Sequence, residues 1–331
     1  MPRSLFPKIA PFAEQMLAVS KAHSLYIEQS GNSDGIPVLY LHGGPGAGCS
    51  SHHRRLFNPE IYHIIMFDQR GCGRSTPSPS IEQNTVSLLV SDISAIRKHL
   101  GIEQWLVCGG SWGTTLALLY AIKYPEHVLG FVLRGLFLAT ANEFNWLYSS
   151  KGASKFFPEY YQDFISPLAK LQLNDCHELN SGQSVLASYA NILQGDNELA
   201  AIAASKSWFL WEQRISTLEH QGLEQLFVED THQAHCMALL SAYYFSTEPK
   251  FKQDYICENA QQFAQIPAII IHSRLDMVCP LENAYRLTHH WPNAQLQILP
   301  TTGHSGFERM TIDAFVKATD AMSGFIKDQQ P

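Results

Sequence analysis

The sequence predicts an α/β fold: a mostly parallel sheet with helices on both faces, interrupted by a helical insertion and then resumed. Three observations carry this expectation. The first third alternates short apolar runs with helically spaced segments. A long central stretch, rich in aromatics and alanine, keeps helical spacing. Two apolar runs then return near the end. Taken in order, residues 25–27 form a strand ahead of the turn-forming Ser30-Gly31-Asn32-Ser33-Asp34-Gly35. Residues 37–41 and 61–67 are short apolar runs of the kind buried on both faces of a sheet. Leu88, Leu89, Ile93, Ile96, Arg97 and Leu100 follow helical spacing. Residues 105–108 read as a strand, 114–124 as an apolar helix stopped by Pro125, and 128–133 as the next strand. Residues 266–271 and 295–299 resume the strand rhythm. The predicted architecture is therefore an α/β domain of residues 1–136 and 263–331, with 137–262 inserted as a helical unit over the carboxyl ends of the strands, where open sheets bind ligands.

Composition narrows the function classes. The 331 residues are 45% hydrophobic and 16% charged, enough for a sizeable core and incompatible with a disordered chain. A formal net charge of −7 gives no electrostatic reason to hold nucleic acid or an anionic membrane. Seven cysteines, an odd number with no C-x-x-C pair, argue against a disulfide framework or a thiolate zinc site and fit a reducing compartment. The first 20 residues lack the apolar core of a signal peptide, and no run of about 18 apolar residues exists to cross a membrane. The expectation is a soluble cytoplasmic protein with neither metal nor cofactor.

The chemistry starts at Gly109-Gly110-Ser111-Trp112-Gly113. It fits G-x-S-x-G and stands between a predicted strand and a predicted helix, the context of a nucleophile elbow. A serine needs a base. His304 follows a predicted strand in a Gly-rich loop, and Asp276 follows another. Singly, each could be an ordinary loop residue. In the chain order Ser111, Asp276, His304 they match the α/β-hydrolase triad. His42-Gly43-Gly44-Pro45-Gly46 follows the strand ending at Leu41, so the backbone N–H groups of Gly44 and Trp112 are the expected oxyanion donors. The loop lacks both G-x-G-x-x-G spacing and a P-loop lysine, which weakens a phosphate-binding reading. His232, His235 and Cys236 carry ligand types at helical spacing, but no second cluster completes a tetrahedral site.

These motifs, with Asp68-Gln69-Arg70-Gly71-Cys72-Gly73-Arg74-Ser75, Leu133-Arg134-Gly135, Trp211-Glu212, Asp276-Met277-Val278-Cys279-Pro280 and Gly303-His304-Ser305, resemble those of the proline iminopeptidase family of α/β-hydrolases, over about residues 22 to 320. The resemblance implies a helical cap and release of N-terminal proline from small peptides with a free N-terminus, through an acyl-enzyme. It also implies that Phe137, Tyr148 and Phe245 enclose the proline ring and that Glu212 binds the α-amine. Arg134 reads either as a structural ion-pair partner at a strand end or as a residue that helps position cap and substrate, with the second preferred. One departure stands out. The family pattern places a second glutamate three residues before Tyr244-Phe245, and here that residue is Ser241. Loss of one charge-assisted contact costs about 1.5 to 3 kcal/mol, roughly ten- to a hundredfold in recognition. Glu248 and Asp230 are candidates to compensate. The alternative is a hydrolase of changed specificity, acting on other amides or on esters. A pure binding protein has no need of all three triad residues, and dehalogenase or epoxide-hydrolase relatives carry aspartate at the elbow.

Overall fold

The structure is a computed structural model and describes residues 2–170, 181–218, 230–252 and 254–329. The elements in chain order are β1 (Ala13–Ala18), β2 (Ser24–Gly31), β3 (Ile36–Leu41), α1 (Ser51–Arg54), β4 (Tyr62–Phe67), α2 (Val86–His99), β5 (Trp105–Ser111), α3 (Trp112–Lys123) and β6 (Val128–Leu136). Then come α4 (Ala141–Tyr148), α5 (Pro158–Lys170), α6 (Gly182–Leu193), α7 (Glu198–Ser216), α8 (Thr231–Thr247) and α9 (Tyr255–Glu258). The chain closes with β7 (Ala268–Ser273), α10 (Leu281–Thr288), β8 (Ala294–Leu299) and α11 (Arg309–Gln329). The eight strands form one sheet in the order β1-β2-β4-β3-β5-β6-β7-β8. β1 and β2, and β2 and β4, pair antiparallel, and every pairing from β4 through β8 is parallel.

The apolar runs follow from burial on both faces. In β5, Trp105 and Val107 enter one core while Leu106 and Cys108 enter the other. Leu39 and Leu41 are likewise opposed to Val38 and Tyr40 in β3, as are Ile65 and Phe67 to Ile64 and Met66 in β4. Alternate side chains of a strand leave opposite faces, so a strand covered on both sides must be apolar throughout. α2 is capped by Thr85, whose side chain accepts from Leu88 N.

β1 departs from the sequence reading, which had no strand there. Its residues alternate between half-buried and exposed and pair only with β2. An edge strand with one solvated face needs no Val/Ile run, so the usual signal is absent.

Between β6 and β7 the described chain is helical. Its interior is an aromatic stack: Phe164 lies on Tyr189 at 4.9 Å, Trp208 meets Tyr189 at 4.9 Å, and Tyr148 meets Trp208 at 4.8 Å between ring centroids. Aromatic pairs at such distances add about 0.5–1.5 kcal/mol each beyond simple burial. Among the described residues no helix is long and apolar enough to cross a membrane.

Candidate active site

Four loops at the carboxyl ends of β3, β5, β7 and β8 carry Gly44, Ser111, Asp276 and His304, as the parallel sheet requires. Ser111 ends β5 with φ 55° and ψ −126°, a strained conformation for a residue with a side chain, and α3 begins at the next residue. The flanking glycines have a steric cause. A Cβ on Gly113 would run into the carbonyl oxygen of Leu41, and one on Gly109 would press on the Gly113 backbone at 3.0 Å. The chain can therefore turn back on β3 only where side chains are absent.

His304, after β8, places Nδ1 2.7 Å from Asp276 Oδ2. The other oxygen, Oδ1, accepts from Val278 N at 3.0 Å and Cys279 N at 2.7 Å. Burial pushes the Asp276 carboxyl up, but His304, His272 and the backbone donors outweigh it and hold it below its ordinary value. Cys279 also lies within this cluster, with atoms of Asp276, Cys279 and His304 within 4.8 Å of one another. Both Asp276 oxygens and the His304 Nδ1 are already hydrogen-bonded, so the trio reads as an acid–histidine pair beside a thiol rather than an ion site. Burial raises the Cys279 thiol well above its usual range, which leaves it protonated and a poor nucleophile.

Ser111, His304, Gly44, Arg134, Phe137, Tyr148, Phe245 and Glu212 all line one cavity of about 360 Å³. Asp276 stands behind His304. The Trp112 side chain stacks on Tyr244 at 5.5 Å, and its backbone N–H belongs to the first turn of α3, where helix N–H groups have no partner within the helix. Phe137 is held by α3: its N–H donates to Thr114 Oγ1 at 2.9 Å, and Thr115 Oγ1 donates to its carbonyl at 2.8 Å. Its ring meets Phe245 edge-on at 5.6 Å. Arg134 donates to the His304 carbonyl at 2.5 Å, so the guanidinium braces the loop that carries the histidine.

Glu212 is buried on the cavity wall. Its Oε1 accepts from Tyr148 Oη at 3.0 Å and Trp208 Nε1 at 2.9 Å. Burial, only partly offset by these two donors, pushes its carboxyl up to about 7. It is the only carboxylate lining the cavity among the described residues. Neither residue put forward to replace the missing glutamate does so. Asp230 caps the start of α8, accepting from Gln233 N at 2.9 Å, and Glu248 lies past its other end. Ser241, between Met237 and Phe245 on α8, is fully buried, and its hydroxyl has no partner among the described residues.

Two positioning groups escaped the sequence reading. Gln69 donates through Nε2 to the His42 carbonyl at 3.0 Å and accepts from Trp112 Nε1 at 3.0 Å. It thereby ties the glycine loop after β3 to the elbow. His272 accepts from Leu136 N at 3.1 Å through Nδ1, so its Nε2 donates to the Cys279 carbonyl at 2.8 Å, joining the end of β6 to the Asp276 loop. A glutamine in a motif loop and a histidine inside an apolar strand were the available signals. His232 and His235 hydrogen-bond Ser78 and Ser205 at 3.0 and 2.9 Å.

The α/β-hydrolase-fold family model matches residues 36–309. The chain is 42% identical over 323 residues to a proline iminopeptidase of Xylella fastidiosa, covering 96% of this chain and 99% of that one. The chain belongs to the proline iminopeptidase family. A further family member, from Neisseria gonorrhoeae, is 39% identical, with 94% of this chain and 96% of the relative covered. Among solved structures, a proline iminopeptidase of Mycobacterium smegmatis superposes with a TM-score of 0.56 at 16% identity, covering 96% of this chain and 98% of that one, a likeness of fold alone. Within this proline iminopeptidase fold, Gln69→Leu is expected to destabilise by about 2–4 kcal/mol, because it orphans the Trp112 N–H and the His42 carbonyl. It should also lower kcat more than KM by loosening the glycine loop. Thermal unfolding and steady-state kinetics check both effects.

Proposed function

We propose that the protein is a serine aminopeptidase that releases N-terminal proline from short peptides, with residues 137–262 acting as the cap. The observation that carries this reading is the meeting, in one cavity, of an elbow serine, a histidine paired to a buried aspartate, an aromatic wall and a single buried carboxylate. Ser111 attacks the carbonyl of the first residue as His304 takes its proton. The oxyanion rests on the N–H groups of Gly44 and Trp112. His304 then protonates the leaving amine, and water resolves the acyl-enzyme. Phe137, Tyr148 and Phe245 enclose the ring, and Glu212 meets the ammonium. Arg134 holds the His304 loop in place.

Glu212 gives the test. Its carboxyl ionises near pH 7 and is neutral below. For free-amine substrates kcat/KM is therefore expected to rise as pH climbs through about 7, beyond any rise shown by a short acyl ester on the same triad. Glu212→Gln should erase that difference and cost about ten- to a hundredfold on proline anilide. If the variant keeps wild-type KM and kcat for proline anilide, the amine-binding role fails. The stability effect has the opposite sign. A carboxyl raised from 4.5 to about 7 on folding costs nothing below pH 4.5 and increasingly destabilises as pH rises towards 7. Glu212→Gln is accordingly expected to raise Tm at pH 8, where the amide oxygen can still accept from Tyr148 and Trp208.

With Glu212 the one carboxylate on the cavity wall among the described residues, and Ser241 neutral and buried, one second reading is favoured, a hydrolase of other amides or of esters. Faster turnover of N-acetylproline anilide or short esters than of proline anilide would select it.

A further inference from the structure

In the proposed reaction the leaving chain takes its proton from His304, so it exits on the side of the cavity that His304 occupies. That side adjoins a second cavity, of about 690 Å³, which shares Ser305 and Phe307 with the first. Its lining carries three arginines, Arg3, Arg55 and Arg309, against one acid, Glu308. The acid is already committed. Glu308 Oε2 accepts from Gly303 N at 3.0 Å, and Oε1 accepts from Thr217 Oγ1 at 3.2 Å and Leu218 N at 3.3 Å. Arg3 is paired with Asp320 at 2.9 Å. Arg55 spends Nε on the Phe6 carbonyl at 2.7 Å. Neither Arg55 nor Arg309 meets a carboxylate among the described residues. In a chain of net charge −7, this cationic lining beside the leaving-group side is a local reversal of sign.

We infer that this second cavity is a subsite for the C-terminal carboxylate of a short peptide substrate, with Arg309 and Arg55 as its charged contacts. The inference rests on the proposed function and deepens it: the enzyme would select di- to tetrapeptides with a free carboxyl end. Each residue past the scissile bond carries the terminus about 3.3–3.6 Å further, and the two cavities meet at Ser305 and Phe307. A guanidinium matches a carboxylate with two parallel N–H bonds, a geometry that neither an amide nor an anilide can supply.

The test compares Pro-Ala-Ala with its C-terminal amide, Pro-Ala-Ala-NH2, on the full-length enzyme. The free acid is expected to be favoured about three- to tenfold in kcat/KM, almost wholly through KM, and the preference should shrink as salt rises from 50 to 500 mM. Because Arg55 also holds the Phe6 carbonyl, Arg309→Ala is the cleaner variant. It should bring the acid-to-amide ratio close to one, and Arg309→Lys should restore part of it. A purely structural role would move Tm and kcat for both peptides alike and leave the ratio untouched. Equal kcat/KM for acid and amide in the wild type, or a ratio that survives in Arg309→Ala, overturns the inference. Failure to release proline from either peptide or from proline anilide would instead sink the underlying reading, so the two failures are distinct.

Discussion

Asp276→Asn is expected to lower kcat on proline anilide about 10⁴-fold while leaving the fold intact, and the hydrogen bonds give the reason. Oδ1 of Asp276 accepts two backbone N–H groups, from Val278 and Cys279, and Oδ2 faces His304 Nδ1. An asparagine must therefore keep its carbonyl oxygen towards the backbone and turn its NH2 to the imidazole. Nδ1 would then accept, the ring proton would move to Nε2, and His304 could no longer take a proton from Ser111. KM should change little, because Asp276 does not line the cavity. Steady-state kinetics with unchanged circular dichroism checks the result. A loss smaller than tenfold would show that this carboxylate is not the orienting acid.

Replacement of Ser111 carries the other large effect. Ser111→Ala is expected to cut kcat by about 10⁴- to 10⁶-fold and to abolish labelling by a fluorophosphonate probe, since only the residual contribution of oxyanion donors and binding survives. Retained labelling would assign the nucleophile elsewhere. Ser111→Gly separates chemistry from backbone strain. Both variants lose the hydroxyl, but alanine keeps the φ of 55° with a Cβ and glycine does not. The glycine variant should therefore be the more stable of the two, by about 1 kcal/mol, read by chemical denaturation. Such a gain would mean that the elbow holds the serine at the top of the sheet at a cost in stability.

Much of this was legible in the chain, because the signals are local. β3, β4, β5 and β6 announce themselves as continuous apolar runs, since each is buried on both faces. The elbow announces itself because only glycine fits against Leu41 and the turn. The order of Ser111, Asp276 and His304 follows from each loop ending a strand of the same parallel sheet. β1 was not legible, because an antiparallel edge strand with one wet face has no such run. Gln69 and His272 were not legible either. Their importance lies in partners 43 and 136 residues away, Trp112 and Leu136, and no spacing rule encodes those contacts.

The departure at Ser241 divides the two kinds of information most clearly. The sequence alone determined that a neutral residue stands where the family pattern has a glutamate, and that Ser111, Asp276 and His304 follow one another in the order of the α/β-hydrolase triad. Only the tertiary structure decided what that costs. It puts Asp230 and Glu248 at the two ends of α8, far from compensating. It leaves Glu212 as the one carboxylate on the cavity wall among the described residues, and it buries that group until its carboxyl titrates near 7. The physical reason is general. Backbone sterics and strand burial are set by neighbours along the chain, whereas a carboxyl's affinity for its proton is set by whatever packing brings around it.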